Sequence, residues 1–254
     1  MLLAIDVGNT NIVFGVHDGA QWLHHWRIRT VREKMPDEYG VLFRTILNEA
    51  ALGMDSFDRV ALSSVVPPLT GRIEEMLEDH LMKKPLIISH RVATGLRFAV
   101  DNPAEVGADL IADAVAAYAQ FKGACIVVDF GTATTFTAVA ADATFLGVAI
   151  APGMNLAASA LAGGTAQLPQ ISLDPPASPI GTNTITSIQA GIVLGYTGLV
   201  EGLLLRIREA MGVQAPAIAT GGLSRIMSPL TSCFAAYDPW LTLEGIRLIA
   251  ERNV

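Results

Sequence analysis

One pattern occurs twice in this chain, and the two copies lie almost half the chain length apart. In the first copy, residues 4–16, an apolar run ends at Asp6 and is followed by Gly8-Asn9-Thr10-Asn11 and a second apolar run. The second copy, residues 127–139, aligns Asp129 with Asp6 at an offset of 129 − 6 = 123 residues. Two apolar runs around small polar residues are typical of a β-hairpin. A repeat that divides the 254 residues into halves predicts two similar lobes.

Both predicted hairpin turns have the composition of a phosphate-binding loop. Gly and Asn tolerate unusual backbone angles, and a turn built from them leaves N–H groups open to phosphate oxygens. Asp6 ends the first strand, where a carboxylate can reach a Mg²⁺ ion carried by those phosphates. The first copy alone fits an ordinary hairpin with a solvated Asp equally well. The second copy favours two turns that hold one polyphosphate from both sides.

Composition and motifs exclude several other classes of protein. The net charge of −7 disfavours nucleic acid as a partner, because phosphate backbones need a basic face. No apolar run approaches the ~18 residues of a membrane span, and no basic segment precedes the first strand, so we expect a cytoplasmic protein without a membrane partner. The chain has no GxxxxGK[ST], GxSxG or HExxH, which argues against a P-loop enzyme, an α/β-hydrolase and a zinc protease.

The order of predicted elements is the same in both halves. Apolar periodicity predicts three antiparallel strands, then helix, strand, helix and strand in the first half, and three strands opening the second. A long helix is predicted from about Ile185 to Met211, and its glycines are spaced for close packing against a second helix, in the same chain or across a dimer. Gly221-Gly222 follows a predicted strand as a turn where adenine or ribose could lie on bare backbone.

Asp109 is the candidate catalytic carboxylate. It follows Gly107-Ala108 and begins an Ala-rich helical stretch that runs to Phe121. An Asp in such a helix costs helix propensity unless it has a chemical task or caps a helix end. From the residues alone both interpretations stay open.

These motifs together resemble a known family. The two hairpins and Thr220-Gly221-Gly222-Leu223 resemble the phosphate and adenosine motifs of the acetate kinase, sugar kinase, Hsp70 and actin superfamily. The chain as a whole resembles the type III pantothenate kinases, which open coenzyme A synthesis in bacteria. The matching segments span nearly all of the chain: Asp6–Gly15, Asn102–Asp109, Asp129–Phe136, Pro152-Gly153, Gly181–Thr184, Gly195–Gly202 and Leu241–Asn253.

The resemblance implies an α/β fold of two similar ribonuclease-H-like lobes, each opening with an antiparallel hairpin, with an ATP cleft between them. We expect an N-terminal lobe at residues 1–115 and, at 116–254, a C-terminal lobe with the second phosphate hairpin, the adenosine motif and the dimer interface. The expected nucleotide-binding residues are Asp6, Val7, Gly8, Asn9, Thr10, Asn11, Ile12, Val13, Thr132, Gly221 and Gly222.

The resemblance also implies a reaction and its remaining parts. Asp109 would accept the proton of the 4′-hydroxyl of pantothenate as that oxygen attacks the γ-phosphorus of ATP, with Mg²⁺ held through the phosphates by Asp6. Asp129 would ligate a monovalent cation, K⁺ or NH₄⁺, and the working unit would be a homodimer. The expected pantothenate-binding residues are Val100, Gly107, Ala108, Asp109, Leu110 and Thr184.

Three positions depart from the family pattern. The family usually has Arg after the catalytic Asp, where this chain has Leu110, and often Tyr and Asp where this chain has Val100 and Thr137. An arginine can clamp a substrate carboxylate through two hydrogen bonds, and a leucine cannot. Two alternatives therefore stay open beside an active or impaired pantothenate kinase: a non-catalytic nucleotide-binding regulator on the same fold, and a kinase of another small alcohol.

Overall fold

The chain folds into two compact units in the computed structural model, which describes residues 1–253 and, for Met54, the backbone alone. The first unit contains Met1–Leu96, Asp101–Ala116 and the C-terminal segment from Leu241. The second unit contains Arg97–Val100 and Ala117–Trp240. Val254, the last residue of the expected C-terminal lobe, lies outside the described residues. The expected division put the last helix in the C-terminal lobe, but its contacts with the strands Leu2–Val7, Asn11–His17 and Arg59–Ser64 assign it to the first unit.

The first unit is built on a five-stranded sheet with the order β3-β2-β1-β4-β5. β1 pairs antiparallel with β2 and parallel with β4, and β4 pairs parallel with β5. The strands are β1 (Leu2–Val7), β2 (Asn11–His17), β3 (Trp22–Arg29), β4 (Arg59–Ser64) and β5 (Leu86–Ile87). The helices of this unit are α1 (Pro36–Glu49), α2 (Pro67–Leu81), most of α3 (Ala108–Phe121) and α8 (Leu241–Arg252), with 3₁₀ turns at Met54–Ser56 and Pro103–Glu105.

Alternation along β1 explains why almost the whole strand is buried. Leu3, Ile5 and Val7 belong to the core formed with α1 and α2. Residues at alternate positions point to the other face of a sheet, and that face of β1 is covered by α8. Within β1, Asp6 is the residue that stays half-exposed, near the carboxyl end of the strand.

The second unit repeats the strand arrangement of the first. Its six-stranded sheet has the order β11-β10-β7-β8-β9-β6, so that β9-β8-β7-β10-β11 matches β3-β2-β1-β4-β5 in pairing and direction. The strands are β6 (Arg97–Phe98), β7 (Cys125–Phe130), β8 (Ala133–Val139), β9 (Thr144–Pro152), β10 (Ala217–Thr220) and β11 (Ala236–Tyr237). The helices are α4 (Met154–Gly163), α5 (Thr184–Gln189), α6 (Gly195–Met211) and α7 (Ser224–Met227). Each unit therefore has the ribonuclease-H-like strand arrangement that was predicted, and the predicted repeat is confirmed.

The predicted long helix is continuous from Thr184 to Met211, through a π-helical turn at Ala190–Leu194. It is 28 residues long, and an 18-residue window of it has a mean hydropathy of 1.5, enough by length and composition to cross a membrane. No such segment was expected from the sequence. The helix qualifies because no charged residue precedes Glu201 in it, and its Val193, Tyr196, Val200 and Leu204 are buried in the core of the second unit.

Candidate active site

The first predicted phosphate turn is a tight hairpin loop. The Gly8 N–H donates to the Asn11 carbonyl at 3.0 Å, directly after the last strand pair of β1 and β2. This bond closes the loop and uses the Gly8 donor. Asn9, Thr10 and Asn11 are exposed at the tip, so they are the part of the turn that a ligand can reach.

Residues after β3 hold this loop in place. The Thr30 hydroxyl donates to the Gly8 carbonyl at 2.7 Å, and the Thr30 N–H donates to the Thr10 carbonyl at 2.9 Å. The Arg32 guanidinium donates to Asn9 Oδ1 at 2.8 Å. No sequence pattern marks Thr30 or Arg32, because their role depends on β3 lying beside the hairpin. Arg32 puts a positive charge next to the predicted phosphate site.

Asp6 is oriented by a buried serine on the neighbouring strand. β1 and β4 run parallel with Asp6 opposite Ser63, and the Ser63 hydroxyl donates to Asp6 Oδ1 at 2.8 Å. Ser63 is fully buried, whereas Asp6 is half-exposed. A fixed, accessible carboxylate suits Mg²⁺, which binds one or two carboxylates and keeps phosphate oxygens and waters as its other ligands. The sequence marked Ser63 only as the end of a short strand.

A cleft of about 500 Å³ opens at the carboxyl ends of the parallel strands of the first unit. Such edges are where α/β folds commonly bind ligands. The Val65 N–H donates to the Val7 carbonyl at 3.1 Å, which joins this cleft to the base of the first hairpin. The cleft is lined by the end of β4 and the residues after it, by residues that follow β5, and by the segment that leads into α3: Ser64, Val65, Pro67, Ile88–Arg91 and Ala104–Ala108.

Asp109 directly follows the cleft-lining residues Gly107 and Ala108, and its carboxylate lies against Gly107. A Cβ atom on Gly107 would lie 2.5 Å from Asp109 Oδ1 and 3.4 Å from Val65 Cγ1, so any larger residue would displace the carboxylate. Asp109 Oδ1 also accepts the Leu110 N–H at 2.7 Å. Burial raises the pKa of the Asp109 carboxyl, and the hydrogen bond to the Leu110 N–H only partly offsets this effect. The first unit thus brings Asp6, Gly107 and Asp109 to one edge of one sheet.

The other predicted substrate residues have different surroundings. Ala108 and Leu110 are buried, so position 110 presents no charge. Val100 is half-buried and Thr184 is exposed, and both belong to the second unit. Thr184 is the first residue of α5, whose N-cap Asn183 accepts the Thr186 N–H at 3.0 Å.

The second unit brings Asp129 and Gly221 together at the end of its parallel strand pair. Thr220 of β10 lies opposite Asp129 of β7. Gly221 has a φ of +85°, and a Cβ on it would lie 2.2 Å from Asp129 Oδ1. The Asp129 carboxylate therefore occupies the side of Gly221 on which a Cβ would lie, whereas Gly222 is exposed.

The second hairpin turn is covered from one side. The Gly153 N–H donates to the Thr132 carbonyl at 3.1 Å, and a Cβ on Gly153 would lie 2.4 Å from that oxygen. The Thr132 residue itself is exposed. A small residue at position 153 therefore allows α4 to begin directly against the turn.

Comparison with known proteins identifies relatives over the full length of the chain. A family model described as type III pantothenate kinase matches residues 2–206. Type III pantothenate kinases from Moorella thermoacetica and Brevibacillus brevis are 46% and 47% identical over 253 residues, covering all of this chain and 100% and 99% of those proteins. These relatives match over their whole length and are named type III pantothenate kinases. They therefore do not favour a non-catalytic regulator or a kinase of another small alcohol.

Solved structures show the same fold. A putative Baf family transcriptional activator from Campylobacter jejuni is similar with a TM-score of 0.57 at 18% identity, covering 99% of this chain and 98% of that one. The activator of 2-hydroxyisocaproyl-CoA dehydratase from Clostridium difficile, with bound ADPNP, has a TM-score of 0.57 at 11% identity, covering 98% and 93%. A putative N-acetylglucosamine kinase from Porphyromonas gingivalis has a TM-score of 0.52 at 12% identity over the full length of both chains. With the family model and the full-length relatives, these observations lead to one conclusion: the chain belongs to the type III pantothenate kinase family.

Proposed function

We propose that Asp109 is the general base with which this pantothenate kinase activates its acceptor. The 4′-hydroxyl oxygen of pantothenate attacks the γ-phosphorus of ATP, its proton passes to an Asp109 carboxylate oxygen, and the bond from the γ-phosphorus to the β–γ bridging oxygen breaks, which releases ADP. Phosphoryl transfer needs mainly positioning and charge neutralisation, and a carboxylate base completes it.

The contact between Gly107 and Asp109 carries this proposal. Asp109 Oδ1 occupies the space that a side chain at position 107 would fill, beside a cleft large enough for a small substrate. The raised pKa also makes Asp109 a stronger base than a solvated Asp once it has lost its proton.

The nucleotide is assigned to both hairpins. The exposed tip Asn9-Thr10-Asn11, flanked by Arg32, would hold the β- and γ-phosphates, and Thr132 would donate to them from the second hairpin. Asp6, oriented by Ser63, would hold Mg²⁺ through water, and the ion when bound neutralises charge on the phosphates. Gly222 would lie against the adenosine.

Asp129 is assigned to a monovalent cation. Its carboxylate lies against the glycine backbone at Gly221, where a side chain would collide with Asp129 Oδ1. Replacing K⁺ by Na⁺ should lower the activity of the wild-type enzyme, and Asp129→Asn should remove the difference between the two ions. Equal activity in both salts would reject this assignment.

A homodimer is supported by the exposed side of the long helix. Gly195, Gly198, Gly202 and Leu205 recur at steps of three and four residues on α6, as helix-contact positions do. A Cβ on any of these glycines would meet no atom of another element within 4 Å, so contacts among the described residues do not require their small size. Leu205 is 55% exposed. A second copy would cover this surface and explain both features.

A coupled ADP-release assay tests the proposed function. The wild-type protein should turn over ATP when pantothenate is present, form 4′-phosphopantothenate in equal amount and release little ADP without the acceptor. ATP binding without any turnover, or turnover only with a different alcohol, would reject the assignment of pantothenate as the acceptor.

A further inference from the structure

The cleft beside Asp109 contains an arginine that the family motif does not assign. Arg91 lines this cleft together with Gly107 and Ala108, and it follows β5 by four residues. In the part of the chain that the structure describes, the exposed Arg91 side chain has no hydrogen bond or ion pair with another residue. A guanidinium at a ligand-sized cleft with its donors unused can bind an anion through two parallel hydrogen bonds.

The substrate brings such an anion. Pantothenate has a primary hydroxyl at one end and a carboxylate at the other, so a base at the first end leaves the second in need of a cation or hydrogen-bond donors. The family motif supplies an arginine directly after the base, but here Leu110 is apolar and only 8% exposed. The first unit therefore lacks a charge at position 110 but has one at Arg91, which lines the same cleft as Gly107 and Ala108.

The loop that carries Arg91 is fixed at both ends. The Arg91 N–H donates to Ser89 Oγ at 3.3 Å. Two residues further, the Ala93 N–H donates to Asn253 Oδ1 at 3.0 Å, and Asn253 Nδ2 donates to the Ala93 carbonyl at 3.1 Å. A backbone already held in place lowers the entropy lost when the side chain binds a ligand.

The other charged residue on the cleft wall is an acid with a partner. Glu105 Oε1 accepts a hydrogen bond from Asn102 Nδ2 at 2.8 Å. A carboxylate there cannot bind a second carboxylate, so it favours an anion at the Arg91 side of the cleft. His90, which also lines the cleft, is half-buried and adds a ring N–H donor.

We propose that Arg91 binds the carboxylate of the acceptor, in place of the arginine that the family carries at position 110. This inference rests on the proposed function, since it assumes that the hydroxyl end of the same molecule lies at Asp109. It makes Arg91 the residue that selects an acid over a neutral alcohol.

Steady-state kinetics of Arg91→Ala with two acceptors test this. The first acceptor is pantothenate, and the second is pantothenyl alcohol, in which CH₂OH replaces the carboxylate. Loss of a charge-assisted hydrogen-bonded pair should raise the KM for pantothenate by about 10- to 100-fold. The KM for ATP, and the kinetics with pantothenyl alcohol, should stay within about twofold of wild type.

The matched control is Arg44→Ala, which removes an exposed arginine from α1, away from the cleft. Arg91→Lys, which keeps the charge without the paired donors, should lie between wild type and Arg91→Ala. An Arg91→Ala enzyme that matches Arg44→Ala with pantothenate would overturn the inference and leave the kinase assignment intact. An equal rise in KM for both acceptors would overturn it too, because it would indicate a structural role. A wild-type enzyme inactive with pantothenate would overturn the proposed function and this inference together.

Discussion

A glycine next to the proposed base shows how one residue sets the chemistry of its neighbour. The sequence marks Asp109 as a candidate but cannot tell a catalytic carboxylate from a helix cap. In the structure, Asp109 Oδ1 lies where a side chain on Gly107 would be. The absence of a Cβ on Gly107 therefore decides the position of the carboxylate. Hydrophobic periodicity in the sequence does not predict this contact.

Gly107→Ala should therefore lower kcat without unfolding the protein. A methyl group 2.5 Å from Oδ1 forces the carboxylate to move, and displacement of a catalytic group by about 1 Å costs on the order of 100-fold in rate. The KM for ATP should change little. Gly71→Ala on α2 is the control, because a Cβ there meets no atom within 4 Å. Full activity in Gly107→Ala would show that Gly107 does not set the position of the Asp109 carboxylate.

The pH dependence should report the raised pKa of Asp109. A base acts only when deprotonated, so kcat/KM should rise with pH through an acid limb that lies above the ordinary pKa of an Asp, ~4. An acid limb at or below pH 4 would contradict the assignment of Asp109 as a buried base.

The raised pKa of Asp109 should also affect the free energy of unfolding, in the opposite direction to its effect on activity as pH rises. The folded state holds the Asp109 proton more tightly than the unfolded state does, so the contribution of Asp109 to stability should fall as pH rises from the ordinary pKa to the raised one. Asp109→Asn, which cannot ionise, should lack this decrease in thermal melts recorded across the same window. If the melting temperatures of the two proteins changed with pH in the same way, burial would be contradicted as the cause of a raised Asp109 pKa.

At the scale of elements, the sequence predicted the repeated hairpins and the strand–helix order, because strong apolar periodicity sets them. It missed β6 and β11, which are two residues each and exist only through pairing with neighbouring strands. It also missed that α8 belongs to the first unit. Gly245 permits this, since a Cβ there would lie 1.8 Å from the Ala112 carbonyl of α3. Such contacts join residues more than a hundred positions apart and leave no local pattern.

The junction of β7 and β10 offers a test at this scale. Gly221→Ala should destabilise the protein by more than Gly212→Ala. Both glycines have positive φ, which costs an L-residue about 1–2 kcal/mol, but only a Cβ at 221 meets the Asp129 carboxylate. Chemical denaturation measures the difference, and equal losses for the two variants would show that the contact with Asp129 adds nothing.

At the scale of the whole molecule, the long helix bears on both the core of the second unit and the proposed dimer. One side of it is buried in the second unit, and the other presents glycines and an exposed leucine. The sequence predicted the close-packing stripe but left open whether its partner lay in the same chain. The open space beyond Gly198 argues against a partner within the described residues of this chain.

Gly198→Leu should therefore weaken self-association and leave the protomer folded. A Cβ at position 198 meets no atom within 4 Å, leucine favours helix by about 1 kcal/mol over glycine, and its larger side chain would block close approach of a second copy. Sedimentation should show the mutant shifted towards monomer at concentrations where the wild type is dimeric. Gly71→Leu on α2 is the control, and a fully dimeric Gly198→Leu protein would place the interface elsewhere.

The most direct test of the whole account is transfer of radiolabelled γ-phosphate from ATP to pantothenate by Asp109→Asn, with ATP affinity measured by calorimetry on the same preparation. Loss of a general base should lower kcat by about 10²- to 10⁴-fold. The Kd for Mg-ATP should stay close to that of wild type, because the nucleotide is assigned to the hairpins. A variant that transfers phosphate at the wild-type rate would contradict the account at its centre, as would one that loses ATP binding and turnover together.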